Sequence, residues 1–262
     1  MGKNVALVLG SGGARGLAHI GAIEALEERG YTITSIAGCS MGSIIAGMYA
    51  AGQMKEAKEW FLNVDKQLIL RMMDINLLSG NSLVKGARII EELKKVVPDR
   101  PLEELNIPCT IVASDMKSAE EVVFRSGSLF DAIRASISIP LFFEPVHLGN
   151  RLLIDGGILN PLPLHIIHRT PGDILVAADI SGKDEMPQER KVNFVSILDR
   201  MSDMQIQQNT LLALRLTPPD VHAVMRQYAY NTFDFDKAEQ IIADGKRIMT
   251  EALESYEKRT NF

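Results

Sequence analysis

The sequence predicts an α/β protein built on a parallel sheet. Three observations carry that expectation. Val5-Ala6-Leu7-Val8-Leu9 and Ile33-Thr34-Ser35-Ile36-Ala37 are short, strand-like runs, each ended by glycine. Each passes through a glycine turn into a segment with helical periodicity, so the first fifty residues read β-α-β-α. Pro108–Ser114 and Asp173–Ile180 then repeat the signature of a strand buried on both faces, as parallel strands between helices require.

The elements follow in order. After the strand Val5–Leu9 comes a glycine-rich loop, Gly10 to Gly16, and a helix over Leu17–Arg29. That helix carries Leu17, Ile20, Ile23 and Leu26 on one stripe and Gly30 as its stop. The strand Ile33–Ala37 leads to a helix over Ser43–Ala51 that is apolar almost all round, which requires burial on most sides. Residues 54–97 read as helical but less regular, with a Met- and Leu-rich stretch over Leu68–Val84. Pro108–Ser114 and Glu121–Phe124 are neighbouring strands, and Ser128–Ser138 is a helix stopped by Pro140. Arg151–Ile154 is a short strand entering Asp155-Gly156-Gly157. Residues 194–216 and 236–259 are long helices with no role the sequence assigns.

With 262 residues, 46% hydrophobic and 23% charged, the chain has the composition of an ordinary globular protein. It contains no internal repeat and no Pro-, Gly- or Ser-rich linker, so one domain over 1–262 is expected. The formal net charge of −5 argues against a nucleic-acid partner, which needs a basic face. Cys39 and Cys109 are too few for a disulfide framework, and no spacing suggests a metal site or a cofactor. The apolar run at the N-terminus is too short for a signal or a span, so a cytoplasmic location is expected.

The chemistry concentrates in Gly38-Cys39-Ser40-Met41-Gly42, a G-x-S-x-G turn between a strand and a helix. Such a turn pushes the serine hydroxyl clear of the backbone and aims a helix N-terminus at it, making Ser40 a candidate nucleophile. Gly10-Ser11-Gly12-Gly13-Ala14-Arg15-Gly16 admits two readings. As a dinucleotide fingerprint it fails at position 15, where arginine stands instead of a small residue, and no P-loop lysine follows. As an oxyanion hole, the N–H groups of Gly12 and Gly13 face the carbonyl that Ser40 attacks.

A serine nucleophile also needs a base. His19, His147, His165, His168 and His222 all read as surface or structural histidines. Asp155 ends an apolar strand, and two glycines let other backbone shield it, which would raise its proton affinity. The same tripeptide also serves as a plain turn. On the residues alone both readings stand.

Gly12-Gly13-Ala14-Arg15-Gly16, Gly38-Cys39-Ser40-Met41-Gly42 and Asp155-Gly156-Gly157, in this order, closely resemble the patatin-like phospholipase family. Leu17-Ala18-His19-Ile20-Gly21, Ala132-Ile133-Arg134-Ala135-Ser136 with Pro140, and Asn160-Pro161-Leu162-Pro163 resemble it too. The likeness covers about residues 5–180 and weakens beyond 185, and Ser11 stands where many members have glycine. The resemblance implies a three-layer α/β/α fold with a mainly parallel central sheet and a Ser40–Asp155 dyad without histidine. It implies an oxyanion hole at Gly12, Gly13 and Ala14, supported by Arg15 in the loop closed by Gly16. Gly38 and Gly42 would shape the elbow, and Gly156 and Gly157 the aspartate turn.

The expected activity is hydrolysis of lipid or lysophospholipid esters through an acyl-serine, without metal or cofactor, with transient contact at a membrane surface. A regulatory module of the same fold, binding lipid or a partner with little hydrolysis, is the alternative. For Leu68–Val84, a lid over the site and ordinary core packing are both open.

Overall fold

The computed structural model describes residues 3–64, 86–140, 142–185 and 193–260. Residues 68–84, for which a lid and core packing were both open, lie outside them. Five parallel strands form the spine of an eight-stranded sheet: β3 (Cys109–Asp115), β2 (Thr32–Cys39), β1 (Asn4–Leu9), β7 (Ile174–Gly182) and β8 (Val221–Arg226) lie side by side in that spatial order. β4 (Glu120–Phe124), β6 (Arg151–Asp155) and β5 (Val146–Leu148) complete the sheet with antiparallel pairings.

Alternation along the strands separates two cores of unequal size. Val5, Leu7 and Leu9 of β1 face the larger one. There they meet α1 (Ala18–Glu28), α2 (Met41–Ala50), α5 (Leu129–Ser136) and α7 (Ala238–Thr260). Ala6 and Val8 face the smaller core, with Ala37, Ala177, Leu162 and Leu164. That face is covered by the segment after Asp155 and by α6 (Phe194–Leu216), so small side chains suit its shallow cover. Helices thus lie on both faces, giving three layers.

The irregular stretch 54–97 resolves into α3 (Met54–Leu62) and α4 (Ala87–Val96), which flank residues outside the described set. Two strands escaped the sequence reading. β5 is only three residues long, and β8 alternates buried and exposed side chains, so neither has the continuous apolar run of its neighbours. Among the described residues no helix is long and apolar enough to cross a membrane.

One detail of register builds the site. β4 occupies one edge of β3 from Ile111 to Asp115. On the other edge, β2 pairs as far as Val112, opposite Cys39, and β6 takes over at Ala113, opposite Asp155. Where β2 leaves the sheet at its elbow, β6 enters head-on. Consecutive residues of β3 therefore bring the last residue of β2 and the last residue of β6 together.

Candidate active site

Ser40 follows Cys39 and takes φ 54°, ψ −123°, a backbone conformation non-glycine residues avoid. The chain accepts it because the elbow is crowded and fixed. A side chain at Gly42 would come within 2.3 Å of the Leu9 carbonyl, so the turn sits directly on the end of β1. Gly38 faces the Gly42 backbone just as closely. The Ser40 carbonyl accepts from the Ser43 N–H at 2.8 Å and the Ser43 hydroxyl at 2.6 Å, and the Ser40 N–H donates to Ser136 Oγ at 2.9 Å.

The Ser40 hydroxyl donates to Asp155 Oδ2 at 2.5 Å, a short contact of the kind a hydroxyl makes with a carboxylate. Asp155 Oδ1 accepts from the Gly157 N–H at 2.7 Å. A side chain at Gly156 would meet the Val112 carbonyl at 2.4 Å, so the Asp-Gly-Gly turn lies flat on β3 and closes the carboxylate off. Asp155 is only 5% exposed. Burial pushes its pKa up to about 6, against the opposing pull of the Ser40 and Gly157 hydrogen bonds, which favour the charged form. A carboxylate so poised can hold or release a proton near neutral pH.

The glycine loop lies beside the elbow, with Gly16 packed on the Met41 side chain. Among the described residues no acceptor takes the N–H of Gly12 or Gly13. Ala14 departs from the expectation. Its N–H donates to the Thr232 carbonyl at 2.9 Å, so it is committed to the backbone and leaves the donor set. Arg15 is buried and ties the loop to two distant strands of chain: Nε donates to the Ile180 carbonyl at 3.0 Å and Nη1 to the Tyr230 carbonyl at 2.9 Å. Burial lowers its pKa, while Asp203, Tyr228 and Asp199 pull the other way.

The histidines stand apart from this centre. His19 is fully buried with Nε2 at 2.8 Å from the Gly10 carbonyl, and burial drops its pKa to about 4, so it is neutral. His222 faces Asp179 and His165 faces Glu121. Among the described residues no histidine hydrogen-bonds Ser40 or Asp155, and no three His, Cys, Asp or Glu side chains gather as a metal site.

Ser40 opens onto an apolar cleft of about 90 Å³. Ile44 of α2, Trp60 and Phe61 of α3, Leu93 of α4, Phe143 and Phe233 make up its walls. Sequence reasoning missed the contribution of the C-terminal part. Thr232 supports the glycine loop, and Phe233 lines the cleft and stacks edge-on against Phe142, with ring centres 5.1 Å apart. No local motif marks these residues, because their position comes from the return of the chain after β8.

Comparison with known proteins gives a consistent result. The patatin-like phospholipase family model matches residues 7–168. An uncharacterized NTE family protein of Mycobacterium tuberculosis is 43% identical over 183 residues, 70% of this chain and 51% of that protein. The human patatin-like phospholipase domain-containing protein 6 is 32% identical over 191 residues, 70% of this chain and 14% of that protein. The chain thus matches about half the length of the mycobacterial relative and a small part of the human one. Among solved structures, VipD from Legionella pneumophila superposes with a TM-score of 0.51 at 15% identity, covering 97% of this chain and 67% of that one, a likeness of fold. With the family model spanning more than half of its length, this chain belongs to the patatin-like phospholipase family.

Proposed function

We propose that the protein is a serine esterase that hydrolyses lipid esters, of phospholipase A or lysophospholipase type, through a Ser40–Asp155 dyad. The observation that carries the reading is the 2.5 Å contact between the Ser40 hydroxyl and a buried, proton-seeking carboxylate, at the head of an apolar cleft. Asp155 Oδ2 takes the Ser40 proton as Oγ attacks the ester carbonyl. The N–H groups of Gly12 and Gly13, which find no acceptor among the described residues, are the donors for the oxyanion. On collapse of the tetrahedral intermediate the C–O bond to the alcohol breaks, and the proton on Asp155 passes to the departing alkoxide. Water then attacks the acyl-serine with Asp155 again as base, releasing the fatty acid and restoring the Ser40 hydroxyl.

The cleft supplies the substrate preference. Among the described residues its walls carry no charged side chain, so it favours a long acyl tail over a polar one. Each methylene buried there contributes about 0.8 kcal/mol, which makes acyl length the main selector. Phe233→Ala is accordingly expected to lower kcat/KM about 10-fold on a decanoyl ester and less than about 2-fold on the acetyl ester. Equal losses on both esters would remove Phe233 from the acyl wall.

The test of the function itself is covalent labelling. A fluorophosphonate is expected to add to Ser40, located by mass spectrometry of the digested protein, and to abolish hydrolysis of a lysophospholipid and ester panel in step with labelling. A wild-type protein that hydrolyses nothing on the panel, or carries the adduct on another residue, would overturn the proposal.

A further inference from the structure

The turn that ends α5 touches the backbone of both members of the dyad. Ser136 Oγ accepts the N–H of Ser40 at 2.9 Å, and two residues on, the Ser138 carbonyl accepts the N–H of Asp155 at 2.9 Å. Both serines are fully buried. The Ala132–Ser136 segment was singled out in the sequence, yet no step of the reaction above uses it.

Ser40 explains why such contacts are needed. Its backbone is strained, and strain of this kind persists only where the surroundings over-determine it. The carbonyl end is held by Ser43, from the same helix. The amide end is held from outside, by a side chain ninety-six residues away. Ser138 is fixed in its own right: its hydroxyl donates to the Arg134 carbonyl at 2.8 Å and accepts from Arg134 Nη1 at 2.6 Å, and Arg134 Nη2 reaches the Glu144 carbonyl at 3.0 Å.

We infer that Ser136 is a positioning residue for the reaction proposed above. Its hydroxyl holds the Ser40 amide while the neighbouring Ser138 carbonyl holds the Asp155 amide, so one rigid turn sets the separation between nucleophile and base. The inference rests on the dyad reading but adds a device that reading does not contain. Without the Ser136 hydroxyl, the Ser40 N–H is buried with no acceptor, and the elbow relaxes toward an unstrained backbone. The Ser40 hydroxyl then leaves Asp155. Asp155 loses a hydrogen bond that favours its charged form, and the base becomes harder to ionise.

The experiment compares wild type, Ser136→Ala, the similarly shaped but slightly larger Ser136→Cys, whose sulfur is a weak acceptor, and Ser35→Ala. Ser35→Ala removes another buried hydroxyl, bonded to the His168 carbonyl and remote from the site. Rates on a soluble short-chain ester are taken per site titrated with a fluorophosphonate, so that misfolded protein does not count. Both Ser136 variants are expected to lose about 10–10²-fold in kcat at unchanged KM, as a displaced reacting group does. The acid limb of their pH profile is expected to move upward, a change that mere loss of stability does not produce, and Ser35→Ala to match wild type. Deuterium exchange at the Ser40 amide is expected to accelerate in both Ser136 variants.

Wild-type kcat and acid limb in the Ser136 variants, or an equal loss in Ser35→Ala, overturn the inference. If Ser136→Ala does not fold, Ser136→Cys carries the test. If wild type shows no Ser40-dependent hydrolysis, the functional reading fails by itself, and the exchange measurement decides the contact. Unchanged Ser40 exchange in Ser136→Cys then overturns it, and faster exchange supports it.

Discussion

Ser40→Ala is expected to lower kcat on any ester substrate by about 10⁴–10⁶-fold, leaving the folded protein intact. The size of the effect follows from what remains. On the proposed mechanism the cleft still binds the acyl chain and the amides of Gly12 and Gly13 still face the carbonyl, so a residual rate of about 10³ over water is left for bound water to attack. The covalent route, in which Asp155 moves a proton across 2.5 Å, is gone. Stability moves differently. The strain at φ 54°, ψ −123° belongs to the backbone, so alanine inherits it and glycine does not. Ser40→Gly is therefore expected to be as inactive as Ser40→Ala, yet more stable by about 1 kcal/mol, read as a higher Tm. Activity in Ser40→Ala within about 10²-fold of wild type would assign the chemistry to another nucleophile.

Sequence and structure agree best where one residue answers to one local demand. The G-x-S-x-G turn was legible because a strained serine needs small neighbours, and the structure places Gly38 and Gly42 against backbone as that logic requires. Four of the five parallel strands were legible because burial on both faces leaves continuous apolar runs, which the alternating β8 lacks. The partnership of Ser40 with Asp155 was not derivable from local pattern, since it depends on β6 meeting β2 end to end along one edge of β3, 115 residues apart in sequence. The residues offered Asp155 as a base beside the reading of a plain turn, and the resemblance to a family decided between them. Ala14 was misjudged for a related reason: its N–H is used by Thr232, and no pattern near residue 14 reveals what residue 232 will do. The C-terminal segment had no assigned role, and it builds part of the cleft wall through Phe233 and holds Arg15 through the Tyr230 carbonyl. Tertiary return of the chain, rather than any motif, decides these contacts.

Asp155→Asn tests the base from two directions at once. Removing a general base typically costs about 10²–10⁴-fold, and asparagine cannot take the Ser40 proton, so kcat is expected to fall by that amount on esters with poor leaving groups. In wild type the same group sets the acid limb: the reaction needs the carboxylate, so kcat/KM is expected to fall as pH drops through about 6, well above the ordinary aspartate value of 3.8. Stability runs the opposite way. The folded chain binds this proton more tightly than the unfolded chain does. The contribution of Asp155 to stability is therefore most favourable below pH 4, declines as pH rises from about 4 to about 6, and stays unfavourable above that. The difference between 3.8 and about 6 corresponds to about 3 kcal/mol. Asparagine has the same shape, can still accept from the Gly157 N–H, and never ionises. Asp155→Asn is thus expected to melt above wild type at pH 8, with the gap closing below pH 4, while its activity is lost at every pH. A variant that melts with wild type at both pH values would mean the carboxylate is better solvated than its burial implies, and the acid limb should then fall near 4 instead of 6. The two measurements stand or fall together, because the burial that makes Asp155 an effective base is the burial that destabilises its charge in the folded chain.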